Sequence, residues 1–261
     1  MRMPSTRRDV LVLCYHGVSE HWPAMLSITP DLLEQQVRFL LGRGYVGATF
    51  SEAITVPPAP RTFAVTFDNA FRSVLELAFP VLDRAGVPGT VFVPTHKIGG
   101  APMAWPGIDE WLGGPYEREL VGMSWDEIGT LAQSGWEVGS HTRSHPRLPE
   151  VVDDDALADE LAGSRADCEQ RLGACDSLAY PYGAIDDRVV AAARAAGYRT
   201  AAALPYRVHI RPEPLRWPRA GVYLYDDLPK FRRKVSPALR RARRSPVWPL
   251  FSRARDMLRG R

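Results

Sequence analysis

Two histidines four residues apart close the stretch WEVGSHTRSHPRL, residues 136–148. Neutral imidazole is the commonest protein metal ligand, and His141 and His145 face one side if the residues between them turn helically. The same side chains could equally be satisfied polar groups, because this spacing alone is a weak motif. A second signal is Asp68-Asn69, directly after the apolar run Phe63–Phe67. There Asp68 could serve as a general base and Asn69 as an oxygen ligand, or the pair could cap a helix starting near Phe71. A third is Tyr180-Pro181-Tyr182-Gly183. Such a rigid turn can aim a backbone N–H at a developing oxyanion and set Pro181 and Tyr182 against a substrate, or it can simply join a strand to a helix.

These groups do chemistry together only if the chain gathers them. Short β-rich runs alternate with helical patterns, the sequence form of βα units around a parallel sheet or barrel. The pattern predicts strands at Val10–Tyr15, Phe63–Phe67, Thr90–Pro94, Trp136–Gly139, Leu178–Tyr180, Arg199–Ala203 and Gly221–Leu224. Helices are predicted after Thr29-Pro30, over Phe71–Ala85, after the capping pair Ser124 and Glu127, and over Asp154–Leu172 and Asp186–Ala196. In parallel α/β architectures the carboxyl ends of strands converge on one face. LCYHG, VTFDNAF, VGSHTRSH and AYPYG all place polar residues at such ends. The long loop Gly99–Gly122, rich in Trp, Gly and Pro, suits a rim; Trp105 there could stack on a sugar ring or pack the loop itself.

A chain of 261 residues with 45% hydrophobic content has enough apolar material for one large domain or two small ones. Its three cysteines, Cys14, Cys168 and Cys175, have no CxxC spacing, which argues against a disulfide framework or a zinc knuckle. The apolar run Val10–Cys14 is too short for a signal-peptide core, and no stretch is long enough to span a bilayer, so a cytoplasmic location is expected. The net charge of +3 hides an asymmetry: residues 230–261 hold 12 of 33 basic residues and one acid, Asp256, leaving 1–229 with 21 basic and 29 acidic residues. We therefore read 1–229 as the catalytic unit and 230–261 as a basic, partly amphipathic tail. Arginines mixed with Trp248, Leu250 and Phe251 suit an anionic membrane surface at its inner face, or a solvated extension; no nucleic-acid partner is expected.

With these stretches in order, the chain resembles the metal-dependent polysaccharide deacetylases, the carbohydrate esterase family that includes chitooligosaccharide and peptidoglycan deacetylases. TFDNAF, SHTRSHP and AYPYG carry the resemblance, and LCYHGV, GTVFVPTHKIGG and SWDEIGTLAQSGWEVGSH extend it over roughly residues 10–222. The resemblance implies a distorted (β/α) barrel of about seven parallel strands and hydrolysis of an N-acetyl group from an amino sugar, a carbon–nitrogen bond that is not a peptide bond. It implies a divalent metal, commonly zinc, held by His141, His145 and the residue at position 69. Asp68 would then be the base, and the Tyr182 N–H would help hold the oxyanion.

Three departures matter. The usual TFDDG pattern reads Thr66-Phe67-Asp68-Asn69-Ala70, so a neutral amide stands where a carboxylate normally ligates the metal, which should weaken binding. The family arginine before Pro181 is replaced at Ala179, one residue before Tyr180, so Arg219 is the candidate to orient Asp68. No late Leu-x-His motif supplies a general acid, leaving His16 or His209. The leading expectation is thus a deacetylase of an N-acetylated sugar in a polysaccharide, oligosaccharide or lipid-linked precursor. The alternatives are a weakened or inactive carbohydrate-binding protein on the same barrel, and a hydrolase of a non-sugar amide.

Overall fold

The computed structural model describes residues 8–204 and 212–243. Among the described residues eleven strands occur in chain order: β1 Asp9–Tyr15, β2 Gly17–Val18, β3 Ser27–Ile28, β4 Val46–Gly47, β5 Arg61–Asp68, β6 Gly89–Val93, β7 Glu137–Ser140, β8 Ser177–Ala179, β9 Thr200–Ala203, β10 Trp217–Pro218 and β11 Ala220–Gly221. The main sheet runs β10-β9-β8-β7-β6-β5-β1-β11, all parallel, with β4 beside β5. Because β10 and β11 are consecutive, the bent segment 217–221 links β9 on one side to β1 on the other and nearly closes a barrel, with surrounding helices. Arg219 lies at the bend, its N–H donating to the Ala203 carbonyl at 2.9 Å.

The two-residue period of a strand explains how the apolar residues divide. Leu11, Leu13, Tyr15, Phe63, Val65, Phe67, Val91 and Val93 join the layer between sheet and helices. Their neighbours Val12, Ala64 and Phe92 join Ala179 and Ala202 in a separate interior cluster. Small residues are needed inside: a Cβ on Gly139 would lie 2.4 Å from Ser177 Oγ and 2.6 Å from the Phe92 ring. Phe50 and Ala53, from the helix Phe50–Thr55, belong to the same cluster, and the Phe50 N–H donates to Thr90 Oγ1 at 2.8 Å. That helix plugs the amino end of the barrel, so the polar interior residues sit towards the carboxyl end.

The seven expected strands are present, with two differences. The last begins earlier, at Trp217, and Val222–Leu224 leaves the sheet. The short β4 and the β2–β3 pair carried too few residues to show a period. Thr29 caps the helix Pro30–Gly42 through the Leu32 N–H at 3.2 Å, and Ser124 with Glu127 forms the predicted capping box. The helix expected from Phe71 starts at Arg72 and widens into a π-turn over Val74–Ala78 before continuing as Phe79–Arg84. Pro80 has no N–H and its ring would crowd the carbonyl four residues earlier, a conflict that a wider turn relieves.

The boundary at 229 falls inside an element. A helix spans Leu228–Val235 and buries Phe231 and Val235 in the main core, and a second, Pro237–Arg243, follows it. The basic segment therefore begins as part of the folded unit; residues 244–261, with Trp248 and Phe251, lie outside the described residues. Among the described residues no helix is long and apolar enough to cross a membrane.

Candidate active site

Register does the first part of the assembly. β1 and β5 pair with Cys14 beside Thr66, so alternation turns Cys14, Thr66 and Asp68 to the interior. Asp68 ends β5 and is 3% exposed. Arg219 reaches it from the closing segment in a two-pronged pair: Nη1 donates to Oδ1 at 2.6 Å and Nη2 to Oδ2 at 2.7 Å. Nη1 also donates to Thr66 Oγ1 at 3.0 Å, and the guanidinium lies 5.5 Å above the Phe92 ring. Position 179 is an alanine, and the guanidinium at Asp68 comes from Arg219 in the closing segment beside β1. Cys14 adds a weak S–H donor to Oδ2 at 3.4 Å.

Burial alone would push the Asp68 carboxyl up. The Arg219 guanidinium outweighs it, helped by His141, the Arg219 hydrogen bonds and His16, and holds the group well below the usual carboxylate range. Asp68 is thus ionised at neutral pH with its orientation fixed by a planar fork.

The histidines meet, though not on a helix. Residues 141–147 form an irregular loop in which Thr142 (φ 67°) and His145 (φ 66°) occupy the left-handed region. The helical-turn expectation is corrected: two reversals of backbone direction bring the rings to 4.8 Å between centroids. The loop is pinned at several points. The His141 N–H donates to the Val93 carbonyl at 2.8 Å, and the His145 N–H to Thr142 Oγ1 at 3.1 Å. The N–H groups of Arg143 and Ser144 both donate to Glu160 at 2.9 Å, and the Arg143 side chain bridges Asp159 and Asp167.

Non-glycine residues with positive φ are uncommon, and five occur among the described residues: Asn69, Ala70, Thr142, His145 and Tyr182. All lie in the three stretches carrying the candidate residues, as expected where surroundings hold strained backbone for a purpose.

The electrostatics favour neutral imidazoles. Burial lowers His141, lowers His16 to about 4, and with the neighbouring His141 lowers His145 to about 2. His141 Nδ1 lies 2.6 Å from the Ala179 carbonyl, which can only accept, so the ring hydrogen sits on Nδ1 and the Nε2 lone pair is left for a ligand. His141 Nε2 stands 3.9 Å from Asp68 Oδ2. The His145 ring stacks on Trp105 at 4.4 Å and 25°, and its edge meets Tyr182 at 4.8 Å. Trp105 is only 8% exposed, so its indole forms a wall behind His145 instead of presenting a free platform for a sugar.

Tyr182 sits at φ 58° in the turn Pro181–Gly183. The turn's hydrogen bonds run from Gly183 N–H to the Tyr180 carbonyl and from Ala184 N–H to the Pro181 carbonyl, so neither uses the Tyr182 N–H. Pro181 is buried beneath it, while the Tyr182 ring is half-buried, with the Arg147 guanidinium 4.6 Å from its centre.

Whether a cation suits these residues can be judged from unsatisfied atoms. Asn69 Oδ1 and His145 Nδ1 are both buried without a hydrogen-bond partner, as is His16 Nδ1. Buried polar atoms are nearly always paired, so these three are candidates to meet a bound group. Asn69, His141 and His145 offer an amide oxygen and two neutral imidazoles, donor types that could hold a divalent cation. Cys14, His16 and Asp68 also bring ligand atoms within 4.8 Å of one another. Both Asp68 oxygens are already held by Arg219, and we read this trio as the setting of the carboxylate. His16 Nε2 lies 4.0 Å from Asp68 Oδ2 at the same mouth. His209 lies outside the described residues.

Comparison with known proteins shows the family and the fold. The sequence profile of the polysaccharide deacetylase family, described as "Polysaccharide deacetylase", matches residues 55–201, more than half of the chain. The chain belongs to the polysaccharide deacetylase family. The Bacillus subtilis (strain 168) protein YxkH, a curated relative named for this family, is 23% identical over 194 residues. That match covers 72% of this chain and 62% of the relative's length. The fold is that of Streptococcus pyogenes deacetylase PplD, solved with acetate (TM-score 0.71, 20% identity, 88% of this chain and 99% of that one). It is also that of IcaB from Ammonifex degensii (TM-score 0.70, 24% identity, 87% and 97%). His16 and Arg219 fall outside the matched span, and only the folded chain brings them to Asp68.

Arg219 was predicted, but the acids that anchor the histidine loop were not. Asp159, Glu160 and Asp167 lie on the long helical stretch after Asp153, far enough from Arg143 and Ser144 in sequence that no local signal ties them to the histidine loop.

Proposed function

We propose that this protein is a divalent-metal-dependent hydrolase that removes the N-acetyl group from an amino sugar. The observation that carries the reading is the pairing of an ionised, arginine-clamped Asp68 with an adjacent cluster of neutral imidazoles and an unsatisfied amide oxygen. Asn69 Oδ1, His141 Nε2 and His145 would hold the metal, with zinc the best match to two imidazoles. A bound divalent cation supplies acidity to a water and polarises the acetyl carbonyl. Asp68, fixed by Arg219, takes the proton that the water loses; its depressed pKa makes it a ready acceptor only when that water is acidified. The Tyr182 N–H would face the negative charge that develops on the carbonyl oxygen, and His16, neutral at rest, would relay to the departing amine the proton that Asp68 has taken. The substrate is an N-acetylated sugar in a polysaccharide, oligosaccharide or lipid-linked precursor, met through Pro181 and Tyr182.

The test is acetate release from N-acetylglucosamine oligomers by protein purified without chelator and then titrated with zinc or cobalt. Release that rises with metal loading supports the reading; none at any loading contradicts it.

Asn69 favours one second reading. A neutral ligand binds a cation less tightly than a carboxylate, and a chain left metal-free would keep a sugar-binding barrel without hydrolysis. Glycan binding by metal-free protein, with no acetate released after metal is added, would favour it.

We also propose a peripheral position at the inner, anionic face of a membrane, supported by the basic and aromatic residues of 244–261. Since Phe231 and Val235 are core residues, the informative truncation starts after Arg243. Unchanged binding to anionic vesicles would remove the tail from this role.

A further inference from the structure

At the amino end of the barrel, opposite the catalytic mouth, Phe39, Leu40, Tyr45 and Val235 line a small apolar cavity of about 150 Å³ that Arg43, Arg61 and Arg232 also border. Binding cavities for whole small molecules run to about 300–1,000 Å³, so this one suits only a headgroup or the start of a chain. Two of the arginines are held in place by rings: the Arg232 guanidinium lies 5.0 Å from the centre of Phe39, and that of Arg61 lies 6.0 Å from the centre of Tyr45. Arg61 also donates to the Arg43 carbonyl at 2.9 Å. Among the described residues none of the three has a carboxylate partner, whereas neighbouring cations do: Arg240 pairs with Asp9, and Lys234 with Asp226.

Exposed apolar residues share this end. Val46, in the strand beside the start of β5, is 43% exposed, and Val56, just before that strand, is 75% exposed. Arg233 is also exposed, and residues 244–261 hold five further arginines and one acid. Helix-dipole complementation would account for Arg232 and Arg233 in the last turn of their helix, but not for Arg43 and Arg61, which come from other elements.

We propose that this cavity is a binding site for the phosphate headgroup of an anionic lipid, and that the amino end of the barrel is the face docked on the bilayer. Guanidinium groups match phosphate in geometry and charge, and each basic residue near an anionic surface adds to the attraction. Arg61 and Asp68 are the first and last residues of β5. At about 3.3 Å per residue, the catalytic carboxylate would then stand about 23 Å from the docked end, on the side facing away. If the deacetylase reading holds, such placement suits a sugar that extends from the surface better than one lying in the headgroup layer.

The test is cosedimentation of the full chain with vesicles of phosphatidylcholine alone or with 30% phosphatidylglycerol. Wild type should bind only the anionic vesicles, and Arg43→Glu, Arg61→Glu and Arg232→Glu should each lower partitioning about tenfold or more. Arg118→Glu, in the loop at the opposite end, should leave it unchanged. All three cavity arginines are exposed, so the variants should melt like wild type; where one does not, the Gln substitution replaces it. Three results would overturn the proposal. They are equal binding of wild type to both vesicles, full binding by the three reversals with loss only on truncation after Arg243, and arginine-dependent binding of soluble glycerol phosphate without vesicle binding. Because none of these readings uses acetate release, failure here leaves the hydrolase reading standing, and the reverse.

Discussion

The two halves of the catalytic mouth are built on opposite plans. Around Asp68 both carboxylate oxygens are accounted for: Arg219 takes each, Cys14 approaches one, and Thr66 holds the same guanidinium. In the other half, buried atoms are left wanting, with Asn69 Oδ1 and His145 Nδ1 both unpaired. A satisfied half is complete in the folded protein and should report its loss as stability. An unsatisfied half is completed by something that binds, and should report its loss as affinity. Substitutions on either side can therefore break or sharpen the contrast.

The largest effect should come from His141→Ala, which removes an imidazole whose ligand lone pair is fixed by a backbone carbonyl. Metal content after dialysis against zinc should fall to background and acetate release with it, while the melting temperature of metal-free protein changes little. Retained metal would place the cation elsewhere. On the satisfied side, Arg219→Met should leave metal content near wild type but cost about 3–5 kcal/mol of stability in denaturant titration, because Asp68 is left as a buried, unpaired charge. A loss below about 1 kcal/mol would mean the pair is open to water. Asp68→Asn separates the functions further: about 10²–10⁴-fold less acetate release, with metal retained, is the signature of a base outside the ligand set.

A smaller effect is expected from Asn69→Asp. Adding a negative ligand should tighten zinc binding about tenfold or more, a change calorimetry resolves; unchanged affinity would remove residue 69 from the coordination shell. The smallest concerns pH. Burial lowers His16 to about 4, below its unfolded value near 6.5, so the unfolded chain binds the extra proton first as pH falls. The stability due to neutral His16 is full above pH 6.5, erodes as pH drops, and is gone once the folded group protonates near 4. In chelator-treated protein, melting temperature should decline over that window, and His16→Asn should flatten the decline; an equal slope in the variant would contradict the assignment.

Much of this was legible in the chain itself, for physical reasons that differ by residue. The strands around Leu13, Val65 and Val91 were readable because both faces are buried and their runs are continuously apolar, as parallel strands require. Thr29, Ser124 and Glu127 marked helix starts because capping is local. The route by which His141 and His145 meet was not readable. It depends on positive φ at Thr142 and His145, and that conformation is held by Glu160 and Asp167, far along the chain. Trp105 shows the same limit, since an aromatic in a loop reads alike whether it stacks on a ligand or on an imidazole. The tail was misjudged for another reason: charge composition outweighed Phe231 and Val235, two apolar residues four apart that bind the segment to the core.

The account rests on a cation shared by Asn69, His141 and His145 beside a carboxylate that is not its ligand. Cobalt(II) titration of chelator-treated wild-type protein, followed by its visible spectrum, tests this most directly. One equivalent should bind, with a spectrum that Asp68→Asn preserves and His145→Ala abolishes. Failure of wild type to bind cobalt, or loss of the signal with Asp68→Asn and its survival in His145→Ala, would contradict the account.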